Sequence, residues 1–409
     1  MSQTIQDAYI VAARRTPIGK APKGVFRHQR PDDLLVHAIR GMMADVPSLD
    51  PAAIEDAIIG CAIPEGEQGL NVARIGVLLA GLPDTVGGVT VNRFCASGLT
   101  ALAMAADRIR VGQADVMLAG GVESMSMVPM MGNTPSINPA VFNGDDNIGI
   151  AYGMGMTAEN VAKQWSVSRE DQDAFALASH QKALAAQQAG EFDDEIVPVE
   201  ITDRGADLST GEVRETVKTV SRDEGPRADT SLERLASLRG AFAAPRSATG
   251  KATGLGSVTA GNSSQTSDGA GALLVVSEAA LKRFNLTPLA RFVSFSVRGV
   301  PPSIMGIGPK EAIPAALKTA GLTLDQMQWI ELNEAFAAQS LAVMRDLDIN
   351  PDVVNPLGGA IALGHPLGAT GAVRAATVVH GLRRRQQQYG MVTMCVGTGM
   401  GAAGIFERV

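Results

Sequence analysis

The sequence predicts an α/β fold, and three observations support this prediction. Apolar runs typical of strands alternate with alanine-rich stretches of helical periodicity along most of the 409 residues. Glycine-rich turns separate several of these segments, as expected where strands join helices. The order glycine turn, helix, buried strand occurs near residue 95 and again near residue 365, which suggests two similar halves formed by internal duplication.

The individual elements follow from local patterns. The first strand is predicted from DAYIVAA, and an amphipathic helix is predicted from the segment that begins RPDDLLVHAIRGMM. Apolar runs of strand length lie at 7–13, 54–62, 88–92, 115–119 and 390–395. Helical patterns lie at 31–44, 97–111, 157–190 and 368–385. The segment WIELNEAFAAQSLAVM adds a strand followed by a helix.

One long segment lacks the alternation of strand-like and helical patterns. Residues 124–247 begin with a stretch rich in Met, Pro and Asn and later contain a charged stretch, so they are predicted to form an inserted loop domain. The first half is then assigned to 1–123 together with 248–280, and the second half to 281–409. This division predicts that the insertion has a role in function or in an interface.

Composition excludes several classes of protein. A net charge of −7 argues against a general nucleic-acid binder, because phosphate neutralisation requires clustered Lys and Arg. No apolar run approaches the length of a membrane span. The three cysteines are far apart and form no C-x-x-C motif, which argues against a zinc site or a redox dithiol and fits a reducing compartment. We therefore expect a cytoplasmic protein.

Cys95 is the first candidate for chemistry. In VNRFCASGLTALA, a predicted strand ends and a small-residue turn opens a helix. The first N–H groups of a helix lack internal partners, and the helix dipole places partial positive charge there. We therefore expect this thiol to ionise easily and to act as a nucleophile. The alternative, a small buried apolar side chain, stays open from these residues alone.

Two further polar groups lie in turns. His365 stands in GGAIALGHPLGATGA, where glycines on both sides leave one face of the imidazole open to take a thiol proton. A satisfied loop histidine is the alternative. Asn333 and Glu334 lie at the strand-to-helix turn of ELNEAFAAQS, where Asn333 is either a helix cap or part of a site.

The C-terminal segment contains the spacing G-x-G-x-x-G at Gly399, Gly401 and Gly404. A dinucleotide-binding loop needs a following helix, a second strand and an acid about 20 residues further on. Only IFERV follows Gly404, so we expect no nucleotide binding by this loop. The glycines are predicted instead to bring backbone N–H groups and the thiol of Cys395 close to a ligand.

Eight segments carry a joint pattern across nearly the whole chain. In chain order they are VAARRTPIGK, VNRFCASG, AGGVESMS, GMTAENVA, TAGNSSQTSDGA, LNEAFA, NPLGGAIALGHPLGATGA and CVGTGMGAAGIFE. Together they resemble the thiolase family, close to the 3-ketoacyl-CoA and acetoacetyl-CoA thiolases. The resemblance implies a five-layered αβαβα fold of two similar halves, with an inserted loop domain that binds coenzyme A and makes oligomer contacts.

The resemblance also implies catalytic roles. Cys95 matches the nucleophile that becomes acylated, and His365 matches the base that activates it. Cys395 matches the acid/base that acts on the α-carbon of acetyl-CoA. Asn333 matches the residue that holds a water for an oxyanion hole shared with His365, and the N–H groups of Cys95 and Gly397 match a second hole.

Further matches concern coenzyme A (CoA). Ser264 matches the serine beside the pantetheine, and Arg227 matches the basic residue near the adenosine phosphate. Met154, Ala335 and Phe336 match apolar contacts that line the CoA channel. The resemblance therefore implies CoA and acyl-CoA as substrates, with no permanently bound cofactor and no metal.

The expected activity is reversible cleavage of 3-ketoacyl-CoA by CoA, in fatty-acid β-oxidation, with a homodimer or homotetramer and a possible β-oxidation partner subunit. The short-chain biosynthetic members have HMG where this chain has GMG at 153–155, so their loop contacts are not carried over. VNRFC and GNSSQTSDG resemble the degradative 3-ketoacyl members, which favours a broader acyl range. The alternatives are an acetoacetyl-CoA-specific condensing thiolase, a ketoacyl synthase-like enzyme and a non-catalytic acyl-CoA carrier. A ketoacyl synthase would pair its cysteine with two histidines, whereas this chain has Asn333 in place of the second histidine.

Overall fold

The computed structural model describes residues 5–143, 153–242 and 256–409, and its alternating strands and helices confirm the predicted α/β class. The strands are β1 (Tyr9–Arg15), β2 (Gly19–Lys20), β3 (Asp56–Gly60), β4 (Val89–Val91), β5 (Val116–Ser124), β6 (Val199–Ala206), β7 (Val213–Val220), β8 (Ser267–Val276), β9 (Ala290–Gly299), β10 (Trp329–Leu332), β11 (Tyr389–Val396) and β12 (Met400–Arg408). The α-helices are α1 (Pro31–Ala44), α2 (Val72–Ala80), α3 (Ser97–Arg110), α4 (Ala140–Asn143), α5 (Met154–Gln164), α6 (Arg169–Gln188), α7 (Leu232–Ala236), α8 (Glu278–Phe284), α9 (Gly308–Ala320), α10 (Ala337–Asp346), α11 (Ala360–Leu363) and α12 (Thr370–Arg384).

The two halves share one strand order. Along the sheet, the strands run β10-β11-β12-β9-β1-β8-β5-β3-β4. We count β1, β3, β4, β5 and β8 as the first to fifth strands of the first half. Their order along the sheet is then third, second, fourth, fifth and first. The second half has the same order when Val354, which bridges to Ile330 of β10, is counted as its third strand. Because β1 and β9 meet through two residue pairs only, the sheet consists of two similar units joined side by side.

Helices and sheets alternate in five layers, as the sequence predicts. Helices α3 and α12 lie between the two halves, where Leu99 and Val378 share one core with Leu273 of the first half and Val392 of the second. Helices α1 and α2 pack on the outer face of the first half. Helices α9 and α10 pack on the outer face of the second half. The mutual burial of these apolar faces holds the two halves together.

The central helices cross where both have glycine. A Cβ added to Gly98 of α3 would lie 2.8 Å from the backbone nitrogen of Ala372, and one added to Gly371 of α12 would lie 2.1 Å from that of Leu99. Side chains at these two positions would therefore push the helices apart. The crossing brings the beginnings of α3 and α12 together, and each beginning follows a candidate catalytic residue.

Several predicted elements differ in detail. The helical pattern at 157–190 forms two helices, α5 and α6, which are separated by a turn at 165–168. The charged stretch after residue 200, which showed no strand pattern, forms the hairpin β6–β7 with cross-strand ion pairs such as Arg204–Glu215. Strand β5 extends to Ser124, five residues beyond the predicted strand end at 119. Among the described residues, no helix is long and apolar enough to cross a membrane.

A buried ion cluster ties the inserted segment to the sheet. At the end of β1, Arg15 donates to Glu195 at 2.6 Å and to Asp223 at 2.7 and 3.0 Å. All three side chains are buried. Because removing one member would leave an unpaired buried charge, the cluster fixes two points of the insertion against β1. The predicted domain boundary at 247/248 lies outside the described residues.

Candidate active site

The turn around Cys95 is held in a fixed conformation. After β4, a 3-10 turn at Phe94–Ala96 leads into α3, and Phe94 has a left-handed backbone with φ of +42°. The Asn92 side chain accepts from the Phe94 N–H at 2.7 Å, and the Ser97 hydroxyl donates to the Phe94 carbonyl at 2.7 Å. These bonds stabilise a conformation that is uncommon for phenylalanine and point Cys95 into the protein interior.

Burial changes the expected ionisation of Cys95. Desolvation raises the pKa of its thiol to about 11, although hydrogen bonds from the backbone N–H of Gly397 and from its own N–H act in the opposite direction. The expectation that the helix terminus makes this thiol ionise easily is therefore wrong. The cost of burying a thiolate exceeds the stabilisation that the helix terminus and Gly397 provide.

His365 enters the site from the second half. It follows α11 and Gly364, whose φ of +99° and whose contact with the Ser267 side chain exclude other residues. Its N–H donates to the Ser267 hydroxyl at 3.1 Å, and its Nδ1 lies 2.7 Å from the hydroxyl of Thr370. Desolvation and then Arg374 lower the pKa of His365 to about 3, so the imidazole is neutral and available as a base.

Asn333 lies against the other nitrogen of this imidazole. Its Nδ2 is 3.3 Å from Nε2 of His365, and its backbone N–H donates to the Thr393 carbonyl at 2.9 Å. Its Oδ1 is buried without a hydrogen-bond partner in the described structure. An unpaired buried amide oxygen is costly, so this position suits a bound water or a ligand group.

Cys395 completes the cluster from β11. The turn that contains Cys95 packs against β11 and against the 3-10 turn Leu367–Ala369, which follows His365. Burial raises the pKa of the Cys395 thiol, and the neighbouring Cys95 raises it further. The structure thus places Cys95 near Cys395 and Gly397 and places His365 beside Asn333, and the turns that carry Cys95 and follow His365 pack against each other.

The comparison with known proteins identifies this arrangement. The model of the thiolase N-terminal domain matches residues 8–279, and the model of the thiolase C-terminal domain matches residues 286–408. The chain belongs to the thiolase family. It is therefore an acyltransferase, as the sequence predicts.

Individual relatives cover the whole chain. It is 50% identical to a 3-ketoacyl-CoA thiolase of Bacillus subtilis, over 98% of this chain and 100% of the relative. It is 47% identical to the peroxisomal 3-ketoacyl-CoA thiolase A of Rattus norvegicus, over 98% of this chain and 88% of the relative. The human mitochondrial 3-ketoacyl-CoA thiolase in complex with CoA has a TM-score of 0.85 at 37% identity, with 100% of each chain covered. The dimeric peroxisomal thiolase of Saccharomyces cerevisiae has a TM-score of 0.87 at 40% identity, with 99% of this chain and 98% of that chain covered.

Apolar residues surround Cys395 in this thiolase. Ala335 and Phe336 are buried beside its sulfur, and Met154 at the start of α5 packs against the same cluster. The sulfur of Met154 lies 3.9 Å from where a Cβ on Gly397 would stand. The predicted apolar contacts therefore lie next to the cysteine cluster.

Ser264 and Arg227 lie along a path away from the cysteines. The N–H of Ser264 donates to the Ala335 carbonyl at 2.9 Å, and the adjacent Gln265 lines a cavity of about 370 Å³. Arg227 lines the same cavity and is exposed at its surface. The predicted CoA contacts thus fall into two groups, one at the cysteines and one at this cavity.

Sequence reasoning assigned no role to Glu123. This buried carboxylate, near the end of β5, accepts from the N–H groups of Ala62 and Gly368 at 2.8 Å each, from the Ile63 N–H at 3.3 Å and from Gln68. It thereby ties the turn after His365 to the loop after β3. An acid inside the apolar segment AGGVESMS was the available signal.

Thr370 was also missed. Its hydroxyl is the partner of His365 Nδ1, so it holds the ring in the orientation in which Nε2 faces Asn333. A short polar residue five positions after the histidine, at the start of a helix, was the signal in GHPLGATG.

Two of the glycines after Cys395 lie in a strand. Gly401 and Gly404 belong to β12, so the G-x-G-x-x-G spacing here is not a strand-to-helix turn. A Cβ on Gly401 would lie 2.0 Å from the backbone of Gly308, which shows that this glycine admits the start of α9. Of the glycines after Cys395, Gly397 is the one that contacts the reactive sulfur.

Proposed function

We propose that this thiolase cleaves 3-ketoacyl-CoA with CoA to give acetyl-CoA and an acyl-CoA shortened by two carbons. The observation that supports it most is the burial of Cys95, Cys395 and His365, with Cys95 near Cys395 and the turns around Cys95 and after His365 packed together. The names of the relatives from Bacillus subtilis and Rattus norvegicus support the choice of substrate. Coenzyme A and its thioesters are the substrates, without a permanent cofactor.

In the first step, the sulfur of Cys95 bonds to C3 of the substrate and His365 takes the thiol proton. The C2–C3 bond breaks, and its electron pair remains on acetyl-CoA as an enolate. Cys395 then gives its proton to C2, which releases acetyl-CoA. Since burial favours the neutral thiol and the neutral imidazole, the charged pair forms only as the substrate reacts.

Hydrogen-bond donors stabilise the negative oxygens. The backbone N–H groups of Gly397 and Cys95 lie close enough to the Cys95 thiol to lower its pKa, and they are proposed to donate to the oxyanion on the carbon bonded to the sulfur. His365 Nε2 and a water held by Asn333 stabilise the enolate oxygen. In the second step, CoA loses its thiol proton to Cys395 and attacks the acyl carbon. The Cys95 sulfur departs and recovers its proton from His365.

The acyl range is proposed to be broad. Among the described residues, a Cβ on Gly153, where the biosynthetic members have histidine, would meet nothing within 4 Å. The absence of that histidine next to Met154 is the basis of this proposal. The alternative is an acetoacetyl-CoA-specific enzyme that runs in the condensing direction, and similarity to the Bacillus anthracis acetyl-CoA acetyltransferase favours it, with a TM-score of 0.87 at 38% identity and 100% of each chain covered.

We further propose a homodimer that pairs through β4. Among the described residues this strand ends the sheet, so its outer edge pairs with no other strand there. Leu78 and Leu79 of the adjacent α2 and Val89 of β4 are exposed by 47%, 49% and 39%. A homotetramer would need a second contact. Sedimentation should give twice the mass of one chain, and a monomeric species would contradict this proposal.

The division at 1–123 with 248–280, 124–247 and 281–409 belongs to the proposal, with the insertion binding CoA and contributing to oligomer contacts. A place in fatty-acid β-oxidation fits a reaction that shortens an acyl chain by two carbons. A β-oxidation partner subunit and a cytoplasmic location stay predictions from the sequence.

The test is the kcat/KM for thiolysis across 3-ketoacyl-CoA chain lengths. We expect activity beyond the four-carbon substrate, and a loss of several orders of magnitude in Cys95→Ala and His365→Ala. Cys61→Ala is the matched control, because Cys61 is a free buried cysteine outside the cluster, and it should retain activity within about twofold. Near-normal turnover by Cys95→Ala would contradict the assignment of Cys95 as the nucleophile. Activity on the four-carbon substrate alone would favour the acetoacetyl-CoA-specific enzyme.

A further inference from the structure

One buried acid beside the site has no role in the chemistry proposed above. Glu334 follows Asn333, lies between β10 and α10 and is 2% exposed. Its carboxylate accepts hydrogen bonds from the Ser179 hydroxyl at 2.7 Å, from Nδ2 of Asn355 at 2.8 Å and from the Ile361 N–H at 3.1 Å. The three donors come from separate segments of the chain, namely α6, the turn before α11, and α11 itself.

Two of these bonds reach the segment that leads to His365. Ile361 belongs to α11, which ends two positions before His365. The Ser179 hydroxyl, which donates to Glu334, also accepts from the Gly359 N–H at 3.1 Å. A Cβ on Gly359 would lie 2.1 Å from Cδ of Glu334, so a larger residue there would displace the carboxylate. The start of α11 therefore packs directly against Glu334.

The third bond fixes the end of β10. Asn355 donates from Nδ2 to the Leu332 carbonyl at 2.8 Å as well as to Glu334, and its Oδ1 accepts from the Leu332 N–H at 2.9 Å. Asn333 is the residue between Leu332 and Glu334, so the chain is held on both sides of it.

The bonding pattern suits an ionised carboxylate. Burial raises the pKa of Glu334, whereas the hydrogen bonds from Ser179, Asn355 and Ile361 act in the opposite direction, together with Arg374. An ionised carboxylate only accepts hydrogen bonds, and all three partners donate. Because a buried group that is bonded in this way is costly to disturb, Glu334 is suited to hold neighbouring segments at a fixed distance.

This distance determines the geometry of two groups in the proposed mechanism. Nδ2 of Asn333 lies 3.3 Å from Nε2 of His365, and Thr370 holds the other side of the imidazole, 2.7 Å from Nδ1. Glu334 joins the strand end that bears Asn333 to the helix that precedes His365. A change in this spacing would alter the place where one oxygen can interact with both groups.

We propose that Glu334 is a positioning residue that holds Asn333 and His365 at the separation required to bind one enolate oxygen. This inference rests on the proposed function, in which His365 Nε2 and a water held by Asn333 stabilise the enolate. The other oxyanion of that mechanism, on the carbon bonded to Cys95, is assigned to the N–H groups of Gly397 and Cys95. Loss of Glu334 should therefore impair carbon–carbon cleavage much more than acylation of Cys95.

The experiment compares two rates in Glu334→Gln, each measured well below the melting temperature of the variant. One is kcat for thiolysis of acetoacetyl-CoA by CoA, and the other is the rate of acetylation of Cys95 by acetyl-CoA, followed by mass spectrometry after quenching. The glutamine amide turns an N–H group toward donors. We expect kcat to fall about 100-fold, with the KM for acetoacetyl-CoA and the acetylation rate within about threefold.

Ser179→Ala is a milder variant that keeps the carboxylate. It removes one donor to Glu334 and the acceptor for Gly359, so kcat should fall about tenfold, as for the loss of one hydrogen bond to a charged group, with the acetylation rate within about twofold. Crystal structures of the wild type and of this variant should show a longer distance between Nδ2 of Asn333 and Nε2 of His365 in the variant. An unchanged distance would contradict the positioning role.

Glu195→Gln is the matched control, because Glu195 is another buried acid, pairs with Arg15 and lies outside these bonds. It should lower the melting temperature but leave the ratio of the two rates within about twofold of the wild type. Equal losses of both rates in Glu334→Gln, or an unchanged kcat, would overturn the inference. A wild-type protein that is acetylated but does not cleave acetoacetyl-CoA would refute the proposed function alone, since the two crystal structures still test the inference.

Discussion

The ends of β5 and β11 show how one architecture was used twice for different purposes. Glu123 is the penultimate residue of β5 and Cys395 is the penultimate residue of β11, and these strands hold the same place in the two halves. Glu123 accepts hydrogen bonds from three backbone N–H groups and from Gln68. Cys395 instead lies in an apolar cluster.

This difference separates anchoring from chemistry. The carboxyl group of Glu123 accepts several hydrogen bonds, so it fixes the loops next to Cys95 and His365. The thiol of Cys395 lies in an apolar cluster, and its proposed role is to give and take a proton at carbon. The same backbone position therefore has a structural role in one half and a proposed catalytic role in the other.

The largest effect is expected from Cys395→Ala. Turnover should fall by several orders of magnitude, because no group remains to protonate the enolate. The melting temperature should change by only a few degrees, since the side chain has no hydrogen-bond partner of note. Incubation with acetyl-CoA should still label Cys95 with an acetyl group, detected by mass spectrometry, and absence of this label would contradict the division of roles.

Glu123→Gln should show the opposite balance. An amide in place of the carboxylate turns a donor toward backbone N–H groups, and we expect a loss of about 2 kcal/mol or more in the free energy of unfolding. Urea denaturation measures it. Activity should fall far less than in Cys395→Ala when both are assayed well below the melting temperature. If Glu123→Gln is as stable as the wild type, the anchoring role is wrong.

The helix crossing between the halves offers a third test. Alanine at Gly98 would bring a methyl group to 2.8 Å from the backbone of α12, and we expect a destabilisation of about 1–3 kcal/mol. Gly81→Ala is a control for backbone strain without a steric clash, because space is open there among the described residues but the φ of +88° is unfavourable for alanine. A Gly98→Ala variant that loses activity without losing stability would show that the crossing tunes the site rather than the fold.

The smallest expected effect is on the pH dependence of stability. The pKa values of His365 and His180 are lowered to about 3 and about 4, whereas both are near 6.5 in the unfolded chain. Between the folded and the unfolded pKa, each histidine binds more protons in the unfolded chain than in the folded one. The free energy of unfolding therefore falls as the pH falls below about 6.5. His365→Asn should therefore have a smaller decrease in melting temperature from pH 7.5 to 5 than the wild type. The exposed His28→Asn should behave as the wild type, and equal slopes in all three would refute the assignment.

Much of the fold could be predicted from sequence because apolar periodicity is local. The helix at 31–44 was predicted with its observed bounds, and α3 and α12 were predicted within two residues at each end. The hairpin β6–β7 was not, because its strands are charged and mostly exposed, so they lack the alternation that burial of one face produces.

The candidate site could be predicted as a set of residues but not as an electrostatic environment. Turn-forming glycines and the position of Cys95 at a helix start are visible in the sequence. The pKa of Cys95 is not, because it depends on how completely distant segments exclude water from the thiol. Glu123 and His180 remained unassigned for the same reason. The partners of Glu123 are 55 or more positions away in the sequence, and the partner of His180 is 47 positions away.

The sequence by itself determined the class of fold, the repeat of its two halves and the types of side chain that could react. These features follow from periodicity, turn residues and chemistry, which are properties of short segments. Only the tertiary structure decided that Cys95, His365 and Cys395 are all buried, that Glu123 joins the loops next to them, and that His180 lines a cavity. Burial and long-range hydrogen bonds control these outcomes, and both exist only once the two halves have packed together.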